Sequence, residues 1–145
     1  MTATPLVHVV DDDLEIRTSL DLLLKSVAIE TQTYASADQF LADFADAPNR
    51  PAVLLLDVRM PGMSGMALME RLRTECPSLP IIIITGHGDI DMAVKAMKLG
   101  AMDFITKPFS SQVLLDRIQE VLRRTPESAT PVISVEEAAL SLEAL

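Results

Sequence analysis

Four places in the chain hold residues whose types suit shared chemistry. Asp11, Asp12 and Asp13 follow the apolar run LVHVV at 6–10, and Asp57 ends the run AVLLL at 52–56. Thr85 and Gly86 follow IIII at 81–84, and Thr106, Lys107 and Pro108 follow the run at 102–105. Carboxylates brought together repel one another, so such a cluster calls for a proton or a divalent cation. A small hard ion such as Mg2+ takes oxygen ligands and keeps several waters; a few carboxylates, a main-chain carbonyl and water would satisfy it. A carboxylate held rigidly beside that charge can attack phosphorus and form an aspartyl phosphate, which makes Asp57 the candidate nucleophile. Lys107 would offset the remaining charge, Thr85 would donate its hydroxyl to a phosphoryl oxygen, and Gly86 would leave room for one.

Each residue has a plainer role when taken alone. An acid after a strand is usually a turn or cap residue, and Asp13 reads as the N-cap of the following helix. A single lysine is most often solvated, and a threonine at a strand end is ordinary. The weight lies in the combination, because the elements place all of these residues at one edge.

Those elements are legible. Leu6–Val10, Ile29–Tyr34, Ala52–Leu56, Ile81–Ile84 and Met102–Ile105 read as strands. Between them, apolar residues recur three and four apart. Ile16, Leu20, Leu23, Leu24 and Val27 form one stripe; Ala93, Val94, Met97 and Leu99 a second; Val113, Leu114, Ile118, Val121 and Leu122 a third. Ser36 with Gln39 has capping-box spacing, Ser64 and Asp89 stand where N-caps belong, and Gly100 suits a C′ position. Five strand–helix repeats predict an α/β fold, a doubly wound five-stranded parallel sheet with five helices. The apolar AVLLL belongs at the centre and the alternating IETQTY at an edge, which with right-handed crossovers favours the order 2-1-3-4-5. In that order all strand C-termini share one edge, where ligands bind, and the strands ending in Asp11 and Asp57 are neighbours.

Composition narrows the function. The 145 residues carry a formal net charge of −9, which argues against this chain gripping nucleic acid by itself. The core must be aliphatic, since there is no Trp. The single cysteine, Cys76, excludes an internal disulfide and reads as a packed thiol. There is no leader-like start, and no apolar run approaches the ~18 residues of a membrane span. The expectation is a soluble, cytoplasmic protein. His8 reads as structural within its strand, and His87 as an exposed loop residue. Met60, Met63, Met66 and Met69 read as gap-filling around the turn into helix three. After Arg124 the texture changes to TPESATPVISVEEAALSLEAL, either a tail or a linker into a further domain.

The motifs VVDDD (9–13), LLLDVRMPGMSG (54–65), IIIITGHGD (81–89) and DFITKPF (103–109) together resemble the receiver domains of two-component response regulators, most closely the FixJ type. The resemblance covers residues 5–124. It implies the flavodoxin-like (CheY-like) fold, with 1–124 as the receiver domain and 125–145 as a linker or the start of a helix-turn-helix output domain that is not in this chain. It further implies Asp57 as phosphoacceptor, and Mg2+ held by Asp11, Asp12, Asp57 and the main-chain carbonyl of Arg59. Thr85 and Phe104 would be the switch pair, although residue type alone favours a core role for Phe104. Lys107 would be the phosphate partner, joined to Pro108 by a cis peptide. The implied partners are a sensor histidine kinase and a second copy, joined through helix four, strand five and helix five at a face holding Met92, Lys95, Ala96, Lys98 and Asp103. DNA would be reached only through the output domain, and the chain would control transcription as a phosphoacceptor without being an enzyme.

Three rival readings remain. An FMN protein of the same topology needs a phosphate-friendly loop after strand one, where DDD would repel a phosphate. A metal-dependent phosphohydrolase would need a general acid near Asp57, and none is evident. A stand-alone relay receiver would lack the output domain.

Overall fold

The computed structural model describes residues 5–44, 51–59, 64–86 and 90–124. Its elements alternate: β1 (Leu6–Val10), α1 (Leu14–Ser26), β2 (Glu30–Tyr34), α2 (Ala37–Phe44), β3 (Ala52–Asp57), α3 (Gly65–Glu75), β4 (Ile81–Thr85), α4 (Ile90–Lys98), β5 (Asp103–Thr106) and α5 (Ser111–Arg124). The strands form one parallel sheet in the order β2-β1-β3-β4-β5, as the apolar patterns require. β1, β3 and β4 are buried nearly throughout because helices cover both faces. Leu20 and Leu24 of α1 and Leu114, Ile118 and Val121 of α5 pack on one face. Phe40 of α2, Leu68, Met69 and Leu72 of α3 and Ala96 of α4 pack on the other.

Three strands run one residue or more past their expected ends. Asp57 pairs with Ile84, and Thr85 pairs with Thr106. The ladder continues for as long as the neighbouring strand offers partners, so Asp57 and Thr85 are the last residues of strands rather than the first of loops. Their positions are thereby tied to the sheet.

Caps follow the chemistry of their residues. Asp13 accepts from the Glu15 N–H and Ser64 from the Ala67 N–H, as N-caps do. Ser36 accepts from the Gln39 N–H, while the Gln39 amide oxygen takes the N–H of Ala35, one residue further back than a capping box usually reaches. Gly100 sits at φ 111 and closes α4, with Ala101 N–H on Ala96 O and Gly100 N–H on Met97 O. Asp89, His87, Met60, Met63 and the segment after Arg124 lie outside the described residues.

The helix stripes need correction. α4 buries Ala93 and Ala96, which are small enough to bring its backbone against the sheet; Val94 and Met97 point outward. Ala96 is therefore core, not part of an exposed face. Val27 caps α1 from outside the core, and Val113 lies in the exposed first turn of α5. His8 is buried as expected, with its Nδ1 3.0 Å from the Tyr34 hydroxyl and its ring against Tyr34, Phe40 and Phe44.

Ala28 ends α1 at φ 63, with the hydrogen bonds Ala28 N–H to Lys25 O and Ile29 N–H to Leu24 O that normally surround a glycine. A side chain there costs about 1–2 kcal/mol, and glycine's looser unfolded chain returns part of that. Ala28→Gly should raise unfolding stability by about 0.5–1 kcal/mol in urea titrations. A lower midpoint would contradict this account of the cap.

Candidate functional site

Register alone brings the acids together. Val10 pairs with Leu56, so Asp11 stands level with Asp57 on the adjacent strand. Carboxylate oxygens of Asp11, Asp12 and Asp57 lie within 4.8 Å of one another. Asp11 and Asp57 are buried and Asp12 is exposed, so the cluster opens to solvent on one side. Asp11 is fixed from three directions. Its Oδ1 accepts the Asp13 N–H at 2.9 Å, its Oδ2 lies 3.3 Å from Lys107 Nζ, and its carbonyl accepts from the Arg17 guanidinium at 2.7 Å. Asp57 Oδ1 accepts the Arg59 N–H at 3.1 Å, and its Oδ2 lies 3.7 Å from Lys107 Nζ.

Lys107 reaches the acids because β5 ends beside β4, its N–H donating to the Thr85 carbonyl at 2.8 Å. The Lys107–Pro108 peptide is cis, as expected. One ammonium thus faces three carboxylates. Burial pushes the Asp57 carboxyl up to about 6; the Arg59 N–H opposes this, Asp11 adds to it, Lys107 lowers it and Asp12 raises it again. For Lys107 burial pulls downward, but the charges of Asp11 and Asp57 outweigh it and leave the ammonium above its usual value.

Thr85 completes the edge. Its side chain is fully buried, and its hydroxyl has no hydrogen-bond partner among the described residues. An unmet buried hydroxyl is costly unless something arrives to use it. Phe104 is half-buried against the α2–α4 side of the core; its N–H donates to Asp103 and its carbonyl accepts from Arg117. Cys76 is half-buried, and burial pushes its thiol up, which disfavours the thiolate.

Sequence reasoning missed two residues. Arg17 braces the acidic loop; its signal was a cation in the first turn after three acids. Gly65 begins α3 directly against the strand end, where a Cβ would fall 2.5 Å from the Asp57 carbonyl oxygen and 2.7 Å from Val58 Cα. Its signal was a glycine where a helix former would serve better.

Residues 7–119 match the family described as the response regulator receiver domain. Among curated proteins the chain is similar to the response regulator protein TodT of Pseudomonas putida, 40% identical over 96% of this chain and 60% of that protein. It is likewise similar to the transcriptional regulatory protein FixJ of Rhizobium meliloti, 45% identical over 78% of this chain and 54% of that protein. The crystal structure of FixJ-N superposes with a TM-score of 0.77 at 42% identity, covering 86% of this chain and 97% of that one. The chain therefore spans little more than half the length of the curated relatives it matches.

The raised Asp57 carboxyl makes a signed prediction. Its native pKa near 6 exceeds the unfolded value, so the native state holds the extra proton between about pH 4 and 6. Stability from this group is lost as pH rises through 6 and regained as pH falls toward 4. In chelator, Asp57→Asn should be more stable than the native sequence at pH 7.5 by on the order of 1–2 kcal/mol, with a flatter pH profile. Thermal melts that place the variant lower would contradict the cost of burying this carboxylate beside its neighbours.

Proposed function

The chain belongs to the response regulator receiver domain family, and from that premise we propose that Asp57 accepts a phosphoryl group from the phosphohistidine of a sensor kinase. The observation that carries the reading is the Lys107 ammonium set between Asp11 and Asp57, at 3.3 and 3.7 Å. It leaves Asp57 oriented and the pocket still net negative. A carboxylate oxygen of Asp57 attacks phosphorus; the P–N bond to the imidazole breaks, and its electron pair leaves with the nitrogen. Water later attacks the same phosphorus, the Asp57 carboxylate departs, and inorganic phosphate is released. Lys107 pairs with a phosphoryl oxygen in both steps, and the unpartnered Thr85 hydroxyl donates to another.

The donor set fits a small oxygen-seeking cation: three clustered carboxylates, one of them open to solvent. Asp11, Asp12, Asp57 and the main-chain carbonyl of Arg59 would hold Mg2+. Bound there, it would supply charge neutralisation for the carboxylates and the phosphoryl oxygens.

Drawing the Thr85 hydroxyl toward a phosphoryl group empties space behind it, and Phe104 moves to fill it. That motion would remodel the face built by α4, β5 and α5. Two features of this face favour a two-fold homodimer. Ile90, Val94 and Met97 are exposed along α4, and Asp91 at its start complements Lys95 and Lys98 at its end when the two copies of α4 pair antiparallel across the two-fold axis. Among the described residues no helix is long and apolar enough to cross a membrane, in keeping with a cytoplasmic receiver. Residues 125–145 would lead into an output domain through which the protein reaches DNA and regulates transcription.

The test is labelling with a small phosphodonor and Mg2+. One phosphoryl group per chain should be incorporated, and none by Asp57→Asn or after chelation. Continuous release of phosphate without stoichiometric label would favour a phosphohydrolase instead. Lys107→Ala should fold normally yet lose the phosphorylation-dependent dimer shift in sedimentation; an unchanged shift would reject its coupling role.

A further inference from the structure

Three acids precede α1, yet the arginine that follows them pairs with none of them. Among the described residues the Arg17 guanidinium forms no ion pair with a carboxylate; it donates to the main-chain carbonyl oxygen of Asp11, at 2.7 Å. Side chains on a helix lean toward its N-terminus, so Arg17, near the start of α1, reaches back over the Asp13 cap to the strand end. A cation near a helix N-terminus opposes the helix dipole, so the stability of α1 does not account for it.

Asp12 does. It is the exposed member of the cluster, and its carboxylate accepts no hydrogen bond among the described residues. Its direction therefore depends on the two rigid peptide planes that flank it. The first joins the Asp11 carbonyl to the Asp12 N–H and is held by Arg17. The second joins the Asp12 carbonyl to the Asp13 N–H, which donates to Asp11 Oδ1 at 2.9 Å. Asp11 is held in turn through Oδ2 by Lys107. With both planes pinned, the Asp12 side chain turns only about its own bonds.

We infer that Arg17 is a positioning residue for the cation site: by holding the Asp11–Asp12 peptide it aims the Asp12 carboxylate into the cluster. This rests on the reading of the acids as a Mg2+ site and adds what orients the ligand on its solvent side. Charge and position pull in opposite directions here. As a cation beside acids, Arg17 repels a metal ion, and removing it would tighten binding. As a brace it keeps a ligand in place, and removing it lets the peptide turn and weakens binding. Orienting contacts of this kind are worth roughly ten- to a hundredfold in metal affinity. Arg17 is only half-buried, so solvent and salt screen the repulsion while the hydrogen bond persists, and the brace outweighs the charge.

The experiment uses the whole chain and Mn2+, which takes the oxygen ligands of Mg2+ and is counted by the EPR signal of the free ion. Arg17→Met should keep the native far-UV dichroism and raise the Mn2+ dissociation constant roughly tenfold. Arg17→Lys restores a donor and should stay within about threefold of the native chain. A constant that is unchanged or lower in Arg17→Met is the response of charge alone and overturns the proposal. In an Asp12→Ala background the same substitution should shift the constant by less than about twofold, because the group that Arg17 aims is gone. A full loss in that background means Arg17 acts elsewhere, and overturns it as well. If Arg17→Met does not fold, Arg17→Gln is measured in its place and read the same way. A native chain that takes up no Mn2+ sinks the metal reading itself; native binding that the Arg17 variants leave untouched sinks only the brace.

Discussion

Repulsion among three carboxylates at one sheet edge is the constraint around which the rest of the molecule is arranged. Asp11 and Asp57 are buried, so neither is screened by bulk water, and the Asp57 carboxyl rises to about 6. A fold selected for stability alone would replace one of them. Here the strain is held in place by named supports: the Asp13 and Arg59 N–H groups, the Arg17 guanidinium and the Lys107 ammonium. Each support fixes an oxygen without neutralising the cluster. The remaining negative charge suits a small cation with oxygen ligands.

The sheet converts that local chemistry into geometry. Because Asp57 and Thr85 are strand residues, each is held by the ladder to its neighbour, Asp57 beside Ile84 and Thr85 beside Thr106. Gly65 lets α3 begin in contact with the Asp57 carbonyl, a distance no side chain would allow. Lys107 arrives from the edge strand, tied to β4 by one main-chain hydrogen bond. The site is therefore rigid where it handles charge. It opens toward solvent at Asp12.

Its other end is less settled by packing. Phe104 is only half-buried, and the β5 backbone there is completed by side chains, Asp103 for its N–H and Arg117 for its carbonyl. Asp103 and Arg117 also pair with each other at 2.8 Å, partly in solvent. An edge finished by side chains can be rearranged at lower cost than one finished by a neighbouring strand.

Strand order, helix count and the identity of the charged edge were present in the sequence, because apolar runs ending in Asp, Thr and Lys carry both the period and the polarity of a parallel sheet. The acids, Thr85 and Lys107 could be named from their places after those runs. Composition could not say which face of α4 is buried. The stripe through Val94 and Met97 looked like core, yet Ala93 and Ala96 occupy it, since closeness of packing favoured small residues over apolar bulk. Nor could spacing reveal that Arg17 and Gly65 serve the site, because their contacts are made across loops. Periodicity is a property of neighbours in the chain and survives without a fold; which side chains meet, and how deeply each charge is buried, depends on residues far apart in sequence and was decided only when the sheet closed around them.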